Sequence, residues 1–144
     1  MITKEYVTLK YRERKELNNC EEFWYVDLKD FLDDKPFVIL EELFVDKSLR
    51  NKGCATDILK QFISKYEDTI ILVNAGALCK EYPEEPTDDE FGQILDNLDK
   101  FFTKLGFENI NKYSKTYEYK ELYVYPNELG KEFFNKVKEY YTNN

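Results

Sequence analysis

The chain has 144 residues, 42% of them apolar and 17% aromatic, enough to bury roughly two thirds of its unfolded surface in one core and to exclude a disordered chain. Its 29 acidic residues outnumber 21 basic ones, and the net charge of -8 would repel a phosphate backbone, which excludes nucleic acid as a partner and favours a cationic amine. No apolar stretch approaches the ~20 residues of a membrane span, and the start Met1-Ile-Thr-Lys-Glu-Tyr6 has no secretory apolar run. A single cytoplasmic domain over residues 1–144, with no membrane partner, is therefore expected as a monomer or homodimer. Cys20, Cys54 and Cys79 are widely spaced, and without any histidine they form no zinc signature, so reduced thiols and no metal are expected.

Tyr6 to Tyr11 and Glu22 to Leu28 have the aromatic, alternating character of strands, with Leu17-Asn18-Asn19 as the turn of an amino-terminal hairpin. Phe37 to Val45 is apolar at successive positions except for Glu41 and Glu42, as expected of a central strand covered on both faces. After the loop Arg50 to Gly53, Ala55, Ile58, Leu59, Phe62, Ile63 and Tyr66 fall on one stripe of a helix. Thr69 to Ala75 is short and β-branched, completing a βαβ unit with parallel strands.

Thr87 and Glu90 have capping-box spacing, and the stripe Phe91, Ile94, Leu95, Leu98, Phe102, Leu105 predicts a long helix ending near Gly106. Strands are expected over Phe107 to Tyr113 and Tyr117 to Tyr125. A last amphipathic helix follows over Asn127 to Tyr141, with Gly130 an unfavourable residue in its first turn.

The chemistry concentrates at two places. A helix that begins just after Gly53 leaves backbone N–H groups without intrahelical acceptors, and with the helix dipole they form an anion site to which Arg50 and Lys52 add charge. An ordinary turn capped by Asn51 has the same local spacing. Glu41 and Glu42, as neighbours in a strand, are expected on opposite faces of the sheet, so at least one opens on a cleft or meets a cation. A partly buried carboxylate of this kind can serve as a general base; pairing with a lysine or a place at a solvated edge would be purely structural.

The stretch Leu43-Phe-Val-Asp-Lys-Ser-Leu-Arg-Asn-Lys-Gly-Cys-Ala55 resembles the coenzyme A loop of the GNAT family of N-acetyltransferases, whose Arg-x-x-Gly-x-Gly/Ala signature is met by Arg50, Gly53 and Ala55. Phe101-Phe-Thr-Lys-Leu-Gly-Phe107 resembles the family's later helix ending. The resemblance covers roughly Phe37 to Phe107. It implies an α/β (α+β) fold with a mixed central sheet and flanking helices, here with a shortened amino-terminal part and an extra carboxy-terminal helix. The strands on either side of the first helix would splay to admit acetyl-CoA.

By the same resemblance, the pyrophosphate would be held by the loop Arg50, Asn51, Lys52, Gly53, Cys54, Ala55 and Thr56, chiefly through backbone amides. The thioester carbonyl would meet backbone near Phe44 and Val45, and Glu41 would act as base with Glu42 attracting the cation. Cys54 is expected to pack rather than act as a nucleophile. The chain departs from the family at Phe102, a cofactor-contact position where a tyrosine commonly protonates the leaving thiolate; Tyr113 and Tyr117 are the nearest substitutes. Leu95 and Leu98 replace the family's usual asparagine and alanine. Acetyl transfer to a primary amine is the implied activity, with a non-catalytic acetyl-CoA-binding or interaction domain as the alternative.

Overall fold

The computed structural model describes residues 2–4, 7–17, 22–45, 53–75, 87–110 and 122–143. In chain order these form β1 (Ile2–Lys4), β2 (Val7–Glu13), a 3-10 turn (Arg14–Leu17), α1 (Phe23–Leu32), β3 (Phe37–Val45), α2 (Cys54–Lys65), β4 (Ile70–Asn74), α3 (Asp88–Lys104), β5 (Glu108–Asn109), β6 (Leu122–Val124) and α4 (Glu128–Asn143). The strands make one mixed sheet in the order β1-β2-β3-β4-β6-β5. Only β3 and β4 run parallel, joined through α2 as the βαβ pattern predicts; the other neighbours are antiparallel.

Alternation along the strands divides the core between two faces. On one, Phe37, Ile39, Ile70, Leu72, Leu122 and Val124 meet Leu28 and Leu32 of α1 and Phe133 and Val137 of α4. On the other, Leu9, Val38, Leu40, Ile71, Val73 and Tyr123 meet Leu59 and Phe62 of α2 and Phe102 of α3. Fully burying each such side chain stabilises the fold by roughly 1.5–3 kcal/mol, so the doubly apolar run of β3 follows from its place at the centre of the sheet.

The amino-terminal hairpin differs from the expectation. Its strands are β1 and β2, paired from Ile2↔Leu9 to Lys4↔Val7. The stretch from Glu22 to Leu28, expected as the second strand, belongs to helix α1. Leu28 and Leu32 are four apart and both fully buried, the spacing of a helix face against α4, and the aromatic composition upstream does not distinguish helix from strand.

The later helices follow their sequence signals. The Thr87 hydroxyl accepts from Glu90 N at 3.2 Å and donates to Glu90 Oε1 at 3.0 Å, so the side chains of the capping pair bind each other at the start of α3. Its end is closed by Phe107 N donating to Phe102 O and Gly106 N to Thr103 O, the Schellman arrangement. At the start of α4, Asn127 Oδ1 accepts from Gly130 N at 2.8 Å, and a Cβ at Gly130 would lie 2.0 Å from the Tyr125 carbonyl oxygen. A residue unfavourable to the helix is therefore demanded by the backbone beside it.

Of the expected strands Phe107 to Tyr113 and Tyr117 to Tyr125, the described residues form strand only over Glu108–Asn109 (β5) and Leu122–Val124 (β6). Ahead of β3, the amino-terminal part holds the hairpin, the 3-10 turn and α1.

Candidate functional site

Three features mark the outer half of β3 and the start of α2. The first is the end of the parallel ladder: β3 pairs with β4 from Phe37↔Ile70 to Leu40↔Val73, while its pairing with β2, which begins at Val38↔Glu13, runs on through Glu42↔Lys10, Leu43↔Leu9, Phe44↔Thr8 and Val45↔Val7. β4 meanwhile continues along β6, with Asn74 opposite Leu122. β4 itself ends at Asn74, so β3 outruns it. Phe44 lies on this outer stretch with 40% of its surface exposed, while Val45 is half-buried.

The second feature is the start of α2. Gly53 holds φ 80° and ψ 4°, a left-handed conformation that a residue with a Cβ enters at a cost of roughly 1–2 kcal/mol. A Cβ built there meets no described atom within 4 Å. The first intrahelical bond runs from Asp57 N to Gly53 O at 3.0 Å, and Gly53 supplies no side-chain cap. The first-turn amides of Cys54, Ala55 and Thr56 therefore lack intrahelical acceptors by geometry. All three residues are half-buried, and the Cys54 thiol is free. Arg50, Asn51 and Lys52 lie outside the described residues.

The third feature is a bulge. The pairing steps from Lys10↔Glu42 to Tyr11↔Leu40, so Glu41 is an extra residue in β3 opposite no residue of β2. The bulge cancels the alternation that would have sent Glu41 and Glu42 to opposite faces. Lys10 and Arg12, two apart and so on one face of β2, bind them both: Lys10 Nζ lies 3.0 Å from Glu42 Oε2, and Arg12 donates through Nε to Glu41 Oε1 and through Nη2 to Oε2 at 2.8 Å. The same Nη2 reaches Glu22 Oε2 at 2.8 Å, tying the start of α1 to the bulge. Burial alone would lower the Arg12 pKa, but hydrogen bonds to Glu41 and Glu22 outweigh it and raise the pKa above its ordinary value.

Both glutamates are thus held on one face and partnered, with their side chains 23% and 28% exposed. The forked Arg12 contact fixes Glu41 more firmly than the single ammonium fixes Glu42. The cations are the residues that sequence reasoning missed. Lys10 and Arg12 alternate with Leu9 and Tyr11, a visible sign that one face of this strand is charged, but their meeting with adjacent glutamates depends on the bulge.

Phe102 is not at the opening. It has no exposed surface and packs with ring centroids 5.2 Å from Phe101, 5.4 Å from Phe107 and 5.7 Å from Tyr123. The position expected to touch the cofactor is a fully buried core ring. The nearby Tyr123 hydroxyl donates to Asp99 Oδ1 at 2.5 Å. Tyr113 and Tyr117 lie outside the described residues.

No family model matches the chain, and no curated protein matches it. A solved structure described as "The crystal structure of KacTA-DNA complex" is similar over 96% of this chain, with 16% identity and a TM-score of 0.46. This chain spans 65% of the length of that one. The expected exclusion of nucleic acid as a partner is not kept: the description of that structure names DNA, and net charge summed over a molecule does not describe any one of its faces. Among the described residues, no group of three or more His, Cys, Asp or Glu could hold a metal ion, and no helix is long and apolar enough to cross a membrane.

Proposed function

We propose that the chain is an N-acetyltransferase of the GNAT type, which takes the acetyl group of acetyl-CoA to a primary amine by direct attack in a ternary complex. The observation that carries this reading is the start of α2, where the left-handed Gly53 leaves first-turn amides without intrahelical acceptors in the crossover between the parallel strands β3 and β4. The amides from Gly53 to Thr56 and the helix dipole suit a pyrophosphate, because several oriented N–H groups stabilise an anion without the side-chain ordering that a lysine alone requires. Arg50, Asn51 and Lys52 would complete this cradle. β3 runs on past its last pair with β4, and an extended arm lying there would bring the thioester carbonyl to the backbone at Phe44 and Val45, which would stabilise charge on its oxygen.

Glu41 and Glu42 serve the amine in this reading. Acetyl transfer requires the ammonium to lose a proton, and a partly buried carboxylate within reach can take it directly or through water. Glu42 is the more available of the two, since its partner is one exposed lysine ammonium, while Glu41 is held in the Arg12 fork. Glu41 then contributes negative potential that favours a cationic acceptor. The enzyme's main contribution is orientation, the thioester supplying the driving force.

A non-catalytic acetyl-CoA-binding domain is the second reading, favoured by the burial of Phe102 and by the pairing of both glutamates. One experiment tests both. Acetyl-CoA at about 100 times its Kd stabilises a one-site protein by about 2.7 kcal/mol, and melting should rise by about 5–10 °C for a chain of this size. A shift with turnover on a panel of primary amines supports the transferase; a shift with no turnover supports the binding domain. No shift removes both.

A further inference from the structure

We infer that Lys10 is itself an acceptor of the acetyl group, a modification site built into the candidate active site; the inference rests on the N-acetyltransferase reading. Lys10↔Glu42 is the first cross-strand pair beyond the bulge, and Leu40↔Val73 is the last pair of the β3–β4 ladder. At about 3.3 Å per strand residue, Glu42 stands roughly 7 Å past that last pair, where β3 has run beyond the end of β4. The Lys10 ammonium is already 3.0 Å from Glu42 Oε2, and its side chain is 55% exposed. A primary amine on a flexible four-carbon stem is therefore held against the carboxylate proposed to deprotonate the acceptor.

The step balances without any further reagent. Glu42 takes one proton from the Lys10 ammonium, and the freed Nζ lone pair attacks the acetyl carbonyl carbon of acetyl-CoA. The N–C bond forms, the C–S bond breaks, and the sulfur leaves as the thiolate, which recovers a proton to give coenzyme A. Lys10 becomes a neutral amide and Glu42 loses its counter-ion.

The test is to incubate the full chain with acetyl-CoA and no added amine, then follow acetylation of each lysine by peptide mass spectrometry. Lys10 should be modified at least about tenfold faster than the exposed Lys60 and Lys104, and Glu42→Gln should slow its modification by about 100-fold or more, the usual contribution of a general base. Lys10→Arg keeps a cation beside Glu42 and should leave no fast-reacting site. The inference is overturned if Lys10 reacts no faster than those two lysines, or if Glu42→Gln leaves its rate unchanged. Where Lys10 stays unmodified but acetyl-CoA raises the melting temperature and an added amine is turned over, this inference alone fails. Absence of both melting shift and turnover removes the transferase reading with it.

Discussion

A side chain at Gly53 should separate the needs of the fold from those of the cofactor. Holding φ 80° with a Cβ present costs roughly 1–2 kcal/mol, and since that Cβ meets no described atom within 4 Å, no steric clash adds to it. Gly53→Ala should therefore lower the melting temperature by about 3–8 °C. Gly53→Asn should lower it less, because asparagine tolerates the left-handed region. Both variants put a Cβ where a pyrophosphate would approach the first-turn amides, so both should weaken acetyl-CoA binding by at least about tenfold, or 1.4 kcal/mol. Thermal melts read the first effect and titration calorimetry with acetyl-CoA the second. Lys52→Ala is the control and should weaken binding less, because in the proposed mode backbone amides would carry most of the contact. A folded Gly53→Asn protein that binds acetyl-CoA with unchanged Kd would refute the assignment of this turn to the diphosphate.

Other substitutions test the packing around the site. Gly130→Ala forces a Cβ to within 2.0 Å of the Tyr125 carbonyl oxygen, and the required shift of α4 should destabilise the chain by about 1–3 kcal/mol in urea unfolding. Phe102→Tyr restores the residue that the GNAT family commonly carries, but into a fully buried aromatic cluster; an unsatisfied hydroxyl there should cost about 1–3 kcal/mol without raising turnover, and a stable, faster variant would contradict the packing described. The Tyr66 pKa is raised by burial and by the 2.7 Å hydrogen bond its hydroxyl donates to Glu13. Since the folded value lies above the unfolded one of about 10, this stabilisation is full below that pH and declines as pH rises above it. The stability difference between wild type and Tyr66→Phe should shrink accordingly between neutral and strongly alkaline pH in denaturant titrations.

Much of the fold was legible because its signals are local. The stripe from Ile58 to Phe62 gave α2, and Thr87, Glu90 and Gly106 bracketed α3, since caps and helical periodicity act within a few residues. The run Phe37–Val45 read as a central strand because a strand covered on both faces needs no polar side. Glu22 to Leu28 misled for a matching reason: its aromatics suit either element, and Leu28 and Leu32 become a helix face only when α4 is there to cover them.

The sequence by itself determined which elements could form, that β3, α2 and β4 make a parallel unit, and that a glycine opens α2. Tertiary structure alone decided that Glu41 bulges from its ladder, that both glutamates share one face with Lys10 and Arg12, and that Phe102 is sealed among Phe101, Phe107 and Tyr123. The reason is the range of the forces: helix periodicity is written within a dozen neighbouring residues, whereas strand register depends on pairing between segments some thirty residues apart, and a slip of one position re-aims every side chain beyond it.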